Sequence, residues 1–328
     1  MYSWGPDTTE WRGKKKYSFD SARSPYLDSL KSAADKKGPR AYTRRASPGK
    51  LVDPRGKDIS SDSENPLIVA VDVTGSMATA PGEFFDRAPL LYQTLSQYKT
   101  DLEICFGAIG DATCDNYPLQ VNSFGKGLDL EEHIKAIGCE GGGGGQISES
   151  YELFGHFILN HCTTPKAKSP FLFIYGDEKF YDSVNPDQVK HYIGDKMQGP
   201  MESDKVWKGL MQRFNVYLLQ KPYGHGDSGV TREVKAHWAK AIGPQRIIDV
   251  PSPERTVDVI MGIVAKTWGR FGDFKDNLDA RQDDPALKDS VYASIRFVGG
   301  DATKSTVTSH TSRKTTSLSE MYKDAKDK

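Results

Sequence analysis

Three oxygen-bearing side chains alternate along a short stretch of the sequence around residue 74. The stretch reads Asp72-Val73-Thr74-Gly75-Ser76 and directly follows the apolar run Leu-Ile-Val-Ala-Val at 67–71. An uninterrupted apolar run of this length is typical of a strand that is buried on both faces. If the loop curls over the strand end, the carboxylate and the two hydroxyls can converge. Such oxygens suit Mg²⁺ or Mn²⁺ better than zinc, so the pattern predicts a site for a hard divalent cation.

Two further carboxylates follow apolar runs in the same way. Asp111 comes after the run at 102–109, and Asp177 comes after the run at 171–175. In open α/β sheets the carboxyl ends of parallel strands share one edge, and ligands bind there. We therefore expect all three carboxylates to lie along one edge of a sheet. Two plainer interpretations stay open: Asp72 caps the next helix, or Asp111 only accepts hydrogen bonds from the hydroxyls of Thr74 or Ser76.

The middle of the chain supplies the elements that must position these residues. Short apolar runs predict six strands, at 67–71, 102–109, 119–124, 171–175, 216–219 and 246–250. Apolar residues at helical spacing predict helices around 84–95 and at 128–137, 147–161, 186–198, 202–214, 230–242 and 254–268. The connection between the second and third strands is too short for a helix, so these two strands should pair antiparallel. The alternation predicts an α/β fold, with a doubly wound, mostly parallel six-stranded sheet and helices on both faces.

The motif and the element order together resemble a von Willebrand factor A (vWA) domain. Asp72-x-Thr74-x-Ser76 is similar to the D-x-S/T-x-S motif of that family's metal-ion-dependent adhesion site, and the resemblance covers about 66–270. It implies a Rossmann-like fold in which Thr74 and Ser76 bind Mg²⁺ or Mn²⁺ directly. It also implies that Asp72 and Asp177 bind the cation directly or through water, and that an Asp or Glu of a protein partner completes the coordination shell.

A glycine-rich stretch at 141–145 marks one departure from the family. The second loop of vWA domains supplies a Thr, whereas Gln146 stands at that position here, with Ser148 as a substitute. A Gln carbonyl can ligate a hard cation, although a hydroxyl placed for that purpose does so better. No Gly-Lys-Ser/Thr follows the glycines, so we interpret them as a flexible loop and not as a phosphate-binding loop. The glycine-rich stretch followed by Glu149-Ser150 resembles the loops of bacterial and phage-borne members of the family. This resemblance implies a prokaryotic or phage origin.

Composition argues against several classes of protein, among them nucleic-acid binders and membrane proteins. The 328 residues contain 44 Lys and Arg against 44 Asp and Glu, and this balance argues against a general nucleic-acid binder. No apolar run approaches the ~20 residues of a membrane span, and no apolar segment near the start suggests a secretory signal. The four cysteines lack C-x-x-C spacing and are typical of free thiols in a reducing cytoplasm. We therefore expect the cytoplasm of a bacterial or infected cell, or a virion if the chain is a particle subunit.

The two ends differ in composition from the middle. Residues 1–65 hold 14 Lys or Arg against nine Asp or Glu, which predicts a polar, basic N-terminal arm. The vWA-like domain is predicted at 66–270, followed at 271–328 by a C-terminal extension that ends in a Ser/Thr/Lys tail.

Two functional hypotheses follow. The first is a non-enzymatic protein-binding module that uses the metal, and the second is a structural or assembly subunit, for example of a phage particle, whose terminal arms contact neighbouring subunits. We predict no catalytic residues. An aspartyl-phosphate phosphatase would need a second Asp where Thr74 stands, and a phosphoesterase would need a cluster of Lys or Arg beside the site.

Overall fold

A six-stranded sheet lies at the centre of the computed structural model, which describes residues 49–138, 146–224 and 226–299. The strands are β2 (Leu67–Asp72), β3 (Ile104–Ile109), β4 (Leu119–Val121), β7 (Phe171–Gly176), β11 (Asn215–Gln220) and β12 (Ile247–Asp249). Their order in the sheet is β12-β11-β7-β2-β3-β4, and every neighbouring pair is parallel except β3 and β4. The predicted α/β class, the mostly parallel sheet and its antiparallel pair are confirmed.

Helices cover both faces of this sheet. They are α1 (Ala80–Tyr98), α2 (Asp129–Lys135), α3 (Tyr151–His161), α4 (Pro186–Gln188), α5 (Ser203–Met211), α6 (Ser228–Ile242), α7 (Thr256–Thr267), α8 (Phe271–Arg281) and α9 (Pro285–Ser294). Side chains of each strand alternate between the faces: Val69 and Val71 join the core beneath α1 and α7, whereas Ile68 and Ala70 join the core beneath α3, α5 and α6. Burial on both faces explains why the strands read as continuous apolar runs.

Short strand pairs account for two corrections to the predicted helices. The helix predicted at 147–161 begins only at Tyr151, because β5 (Ser148–Glu149) pairs in parallel with β8 (Lys179–Phe180). The helix predicted at 186–198 is also wrong in its extent. After α4 the chain makes one π-helical turn over Val189–Ile193, and the helical segment ends at Gly194. The φ of Gly194 is 99°, in the left-handed region, and this conformation stops the helix. The remaining pairs are β1 (Ile59–Ser60) with β6 (Cys162–Thr163), and β9 (Ser183–Val184) with β10 (Met201–Glu202).

The packed core extends beyond 66–270 on both sides. Val52 is fully buried, and α8 and α9 bury Leu278 and Val291 in the same cluster as α1 and α7. Residues 1–48 and 300–328, which hold most of the predicted arm and tail, lie outside the described residues, as does Cys139. The division at 65 and 270 therefore stays a prediction.

The described cysteines Cys105, Cys114 and Cys162 are free thiols, as predicted for them. None of the helices in the described parts of the chain is long and apolar enough to cross a membrane.

Candidate metal centre

The loop after β2 brings the alternating side chains together. Asp72 Oδ1 accepts hydrogen bonds from the backbone N–H of Thr74 at 2.9 Å and from Thr74 Oγ1 at 2.6 Å. A 3₁₀ turn over Gly75–Met77 follows, and Ser76 Oγ then lies 3.4 Å from Thr74 Oγ1. The side chain of Asp72 thus holds its own loop and makes no cap to α1, which has no side-chain cap at its N-terminus. The helix-capping interpretation of Asp72 is wrong.

The neighbouring strand β7 contributes the second carboxylate. Because β2 and β7 are parallel partners, with Val71 opposite Tyr175, their carboxyl ends lie side by side. Ser76 Oγ donates a hydrogen bond to Asp177 Oδ1 at 2.8 Å. Asp72, Thr74, Ser76 and Asp177 therefore form one continuous set, here named the hydroxyl–carboxylate chain.

Asp111 and Gln146 form a separate group with Thr113 and Tyr181, here named the Asp111 cluster. Gln146 Nε2 donates to Asp111 Oδ2 and to Tyr181 Oη, both at 2.7 Å, and Tyr181 Oη donates to Asp111 Oδ1 at 3.1 Å. Asp111 thus accepts from Thr113 in its own loop, from Gln146 and from Tyr181, and not from Thr74 or Ser76. The substitute Ser148 lies in β5. Membership of Asp111 and Gln146 in a coordination shell stays a prediction.

Three residues that sequence reasoning missed also belong to this edge. Tyr151, the first residue of α3, donates its hydroxyl to Asp72 Oδ2. Lys221 Nζ, from the residue after β11, lies 3.0 Å from Asp177 Oδ2. Glu178 directly follows Asp177 and is buried beside the hydroxyl–carboxylate chain. Adjacency to Asp177 could have indicated Glu178, but the contacts of Tyr151 and Lys221 depend on how distant elements pack.

The site holds more buried negative charge than its surroundings stabilise. Burial, with a further contribution from the charge of Asp177, raises the pKa of Asp72 to about 7, although hydrogen bonds from Thr74 and Tyr151 lower it. Burial and the charges of Asp72 and Asp177 raise the pKa of Glu178 to about 8. Burial and the charge of Asp72 likewise raise the pKa of Glu149 well above its ordinary value. A bound cation would lower all of these pKa values and stabilise the charged forms.

The oxygens of the hydroxyl–carboxylate chain lie about as close together as the ligands of one small cation. Ligands at about 2.1 Å in an octahedron lie about 3.0 Å from their neighbours. In the hydroxyl–carboxylate chain the successive oxygens are 2.6, 3.4 and 2.8 Å apart. One further buried oxygen, Oε2 of Glu178, has no hydrogen-bond partner. Carboxylate oxygens are the kind of donor that Mg²⁺ and Mn²⁺ prefer.

Carboxylates alone do not define the site. Within the described residues, no three side chains of His, Cys, Asp or Glu lie together in a way that could hold a metal ion. The hydroxyl–carboxylate chain contributes two carboxylates and two hydroxyls, so a metal there would depend on Thr74 and Ser76 as much as on the acids.

Comparisons with known proteins add little to this geometry. No family model matches the sequence, and no curated protein matches it. The crystal structure of the pilus adhesin SpaC from Lactobacillus rhamnosus GG in its open conformation is similar at a TM-score of 0.45 and 11% sequence identity, over 65% of this chain and 31% of SpaC. A second crystal form of SpaC gives a TM-score of 0.43 and 12% identity, over 65% and 32% of the two chains. The chain therefore spans about a third of the length of that adhesin.

Proposed function

We propose that this chain is a non-enzymatic protein-binding module of the vWA type. It binds Mg²⁺ or Mn²⁺ at the carboxyl edge of its sheet, and an Asp or Glu of a protein partner completes the shell. The observation that carries the proposal is the hydroxyl–carboxylate chain, in which the spacing Asp-x-Thr-x-Ser joins an acid from the neighbouring strand.

The hydrogen bonds of the two hydroxyls explain how they can serve as ligands. A hydroxyl has one proton to donate and two lone pairs to offer. Thr74 donates its proton to Asp72, and Ser76 donates its proton to Asp177, so the lone pairs of both oxygens stay available to a cation. When bound, the metal supplies a positive charge that attracts an anionic ligand.

The surroundings of the site favour binding over hydrolysis. A phosphoesterase needs free cationic groups to hold a phosphate. Lys221 is the ammonium group in contact with the hydroxyl–carboxylate chain, and it is already bonded to Asp177 and to three backbone carbonyls.

The second candidate is a structural or assembly subunit whose arms contact neighbouring subunits. It rests on the composition of residues 1–65, and one structural observation favours it: the last part of that segment is fixed to the domain. Asp101 accepts hydrogen bonds from Ser63, Glu64 and Asn65, and Val52 is fully buried. An arm held at its base in this way could carry load between subunits. Association that persists in EDTA would favour this candidate over the metal-dependent module.

Thermal unfolding in a Mg²⁺ or Mn²⁺ titration tests the metal site. We expect the midpoint of the wild type to rise with cation concentration, by about 5–10 °C when the cation reaches a hundred times its dissociation constant. Asp72→Asn should show no such rise, because it removes the charge that anchors Thr74.

Asp101→Asn is the matched control. Asp101 also accepts several hydrogen bonds, but it precedes β3 and therefore lies at the opposite edge of the sheet. This variant should respond to Mg²⁺ as the wild type does. An equal rise in Asp72→Asn and the wild type would contradict the proposed site.

A further inference from the structure

Lys221 is fixed more firmly than an ordinary surface lysine. Its ammonium nitrogen lies within 3.1 Å of four oxygen atoms, which belong to the side chain of Asp177 and to the backbone carbonyls of Ser76, Pro222 and Gly224. Its side chain is 11% exposed. Because an ammonium group carries three protons, these oxygens already saturate it.

The two oxygens of the Asp177 carboxylate have different hydrogen-bond partners. Oδ1 accepts from Ser76 Oγ and faces the hydroxyl–carboxylate chain, whereas Oδ2 accepts from Lys221 Nζ at 3.0 Å and from the backbone N–H of Gly224 at 3.2 Å. A cation on the hydroxyl side would therefore share this carboxylate with the ammonium group of Lys221. That group places positive charge 3.0 Å from Asp177 Oδ2, next to the position proposed for the cation.

We propose that Lys221 determines the ligand specificity of the centre: its fixed charge weakens cation binding alone and makes an anionic ligand part of the stable complex. The inference rests on the proposed function. Two positive groups on one carboxylate repel each other, and an added anion offsets that repulsion. The centre thus retains its metal best when a carboxylate from a partner is present.

A structural role for Lys221 makes different predictions. If the lysine only ties the loop after β11 to the end of β7, its replacement should lower the stability of the protein. It should then leave the affinity for a cation, and the effect of an anion on that affinity, unchanged. Cation affinity with and without a small carboxylate therefore separates the two roles.

The test is a Mn²⁺ titration of the full chain, with bound and free Mn²⁺ quantified by electron paramagnetic resonance, in the presence and absence of acetate. For the wild type we expect acetate to increase the affinity for Mn²⁺. In Lys221→Met and Lys221→Gln we expect affinity without acetate to be about tenfold higher or more, and the acetate effect to be lost. Gln retains N–H donors for the carbonyls, so it provides a second neutral variant if Met does not fold. Lys221→Arg keeps the charge and should behave as the wild type.

Lys266→Met is the matched control for the lost hydrogen bonds. Lys266 Nζ also donates to three backbone carbonyls, those of Ile295, Arg296 and Val298, but it lies on α7 among the C-terminal helices. This variant should keep the Mn²⁺ affinity and the acetate effect of the wild type. Unchanged affinity and an unchanged acetate effect in the neutral Lys221 variants would overturn the inference while leaving the metal site intact. Absence of Mn²⁺ binding in wild type and variants alike would instead contradict the proposed function itself.

Discussion

Asp72 shows how single hydrogen bonds keep a buried acid usable as part of a binding site. It is fully buried, and each of its oxygens has a donor: Thr74 serves Oδ1, and Tyr151 serves Oδ2. Burial raises the pKa of Asp72 to about 7, and both of these hydrogen bonds act in the opposite direction. Without them the carboxyl would hold its proton more tightly and would attract a cation less.

Tyr151→Phe tests this balance. We expect the free energy of unfolding of the variant to be about 1–3 kcal/mol lower than that of the wild type, because a buried carboxylate oxygen loses its hydrogen-bond donor. Cation affinity near neutral pH should also fall, since the pKa of Asp72 rises further. Urea unfolding and a Mn²⁺ titration measure the two effects. Tyr217→Phe is the control, because Tyr217 is a buried tyrosine that stacks on Phe173 within the same sheet. A Mn²⁺ affinity equal to that of the wild type would contradict the role assigned to Tyr151.

The sequence indicated those residues of the site that lie close together in the sequence or at the ends of neighbouring strands. Asp72, Thr74 and Ser76 lie close together in the sequence, and Asp177 directly follows a strand that pairs with the strand ending at Asp72. Tyr151 and Lys221 come from a helix start and from another strand end, and each reaches the site through a particular side-chain conformation. Neither residue type nor spacing records such a conformation, so these two contacts could not be predicted.

At the scale of elements, continuous apolar runs predicted the central strands β2, β3 and β7 well, because every residue of these strands is buried. The prediction of a helix from apolar spacing was wrong at 147–150. Ile147 and Tyr151 fit a helical stripe, but Ser148 and Glu149 instead pair with β8. A two-residue strand has no periodicity of its own, and its existence depends on the partner that the fold places beside it.

The end of α3 is joined to two other segments by one histidine. His161 stacks on Phe157, and its ring nitrogens lie 2.8 Å from Asp58 Oδ1 and 2.7 Å from Asp195 Oδ2. Burial alone would lower the pKa of His161, but the hydrogen bonds to Asp195 and Asp58 raise it above its ordinary value. Nearby, burial lowers the pKa of His156 to about 4, so His156 stays neutral near pH 7.

The sign of this pKa shift predicts how stability depends on pH. A histidine whose pKa is raised in the folded state stabilises the protein fully below its unfolded pKa of about 6.5, and this contribution disappears as pH rises through the folded value. We therefore expect His161→Gln to unfold about 2–4 °C below the wild type at about pH 5.5. The difference should shrink towards about pH 8. Thermal unfolding of both proteins across this range is the measurement, and a difference that does not change with pH would contradict the ionic role of His161.

At the scale of the whole molecule, a buried charge cluster ties the C-terminal helices to the helix that begins beside the candidate site. Asp258 on α7 contacts Arg87 on α1, Arg255 before α7 and Arg281 on α8, at 3.4, 2.9 and 3.1 Å. Burial alone would raise the pKa of Asp258, but the three guanidinium groups hold it below its usual range. Removal of Arg281 would leave fewer partners for this buried carboxylate, and breaking a buried pair is costly.

The same packing gives a test of the predicted domain boundary at 270. A chain that ends at residue 270 lacks α8, α9 and the residue after α9, and so loses the buried side chains of Phe274, Leu278, Val291 and Ile295, which share one core with α7. Each such side chain contributes about 1.5–3 kcal/mol when fully buried, and the typical stability of a domain is only about 5–15 kcal/mol. We therefore expect a chain ending at 270 to be unfolded or aggregated, and a chain ending at 299 to unfold cooperatively. Circular dichroism and thermal unfolding of the two truncations distinguish these outcomes. Cooperative unfolding of the shorter chain at an unchanged midpoint would show that 66–270 is sufficient as a domain, and that α8 and α9 contribute little to its core.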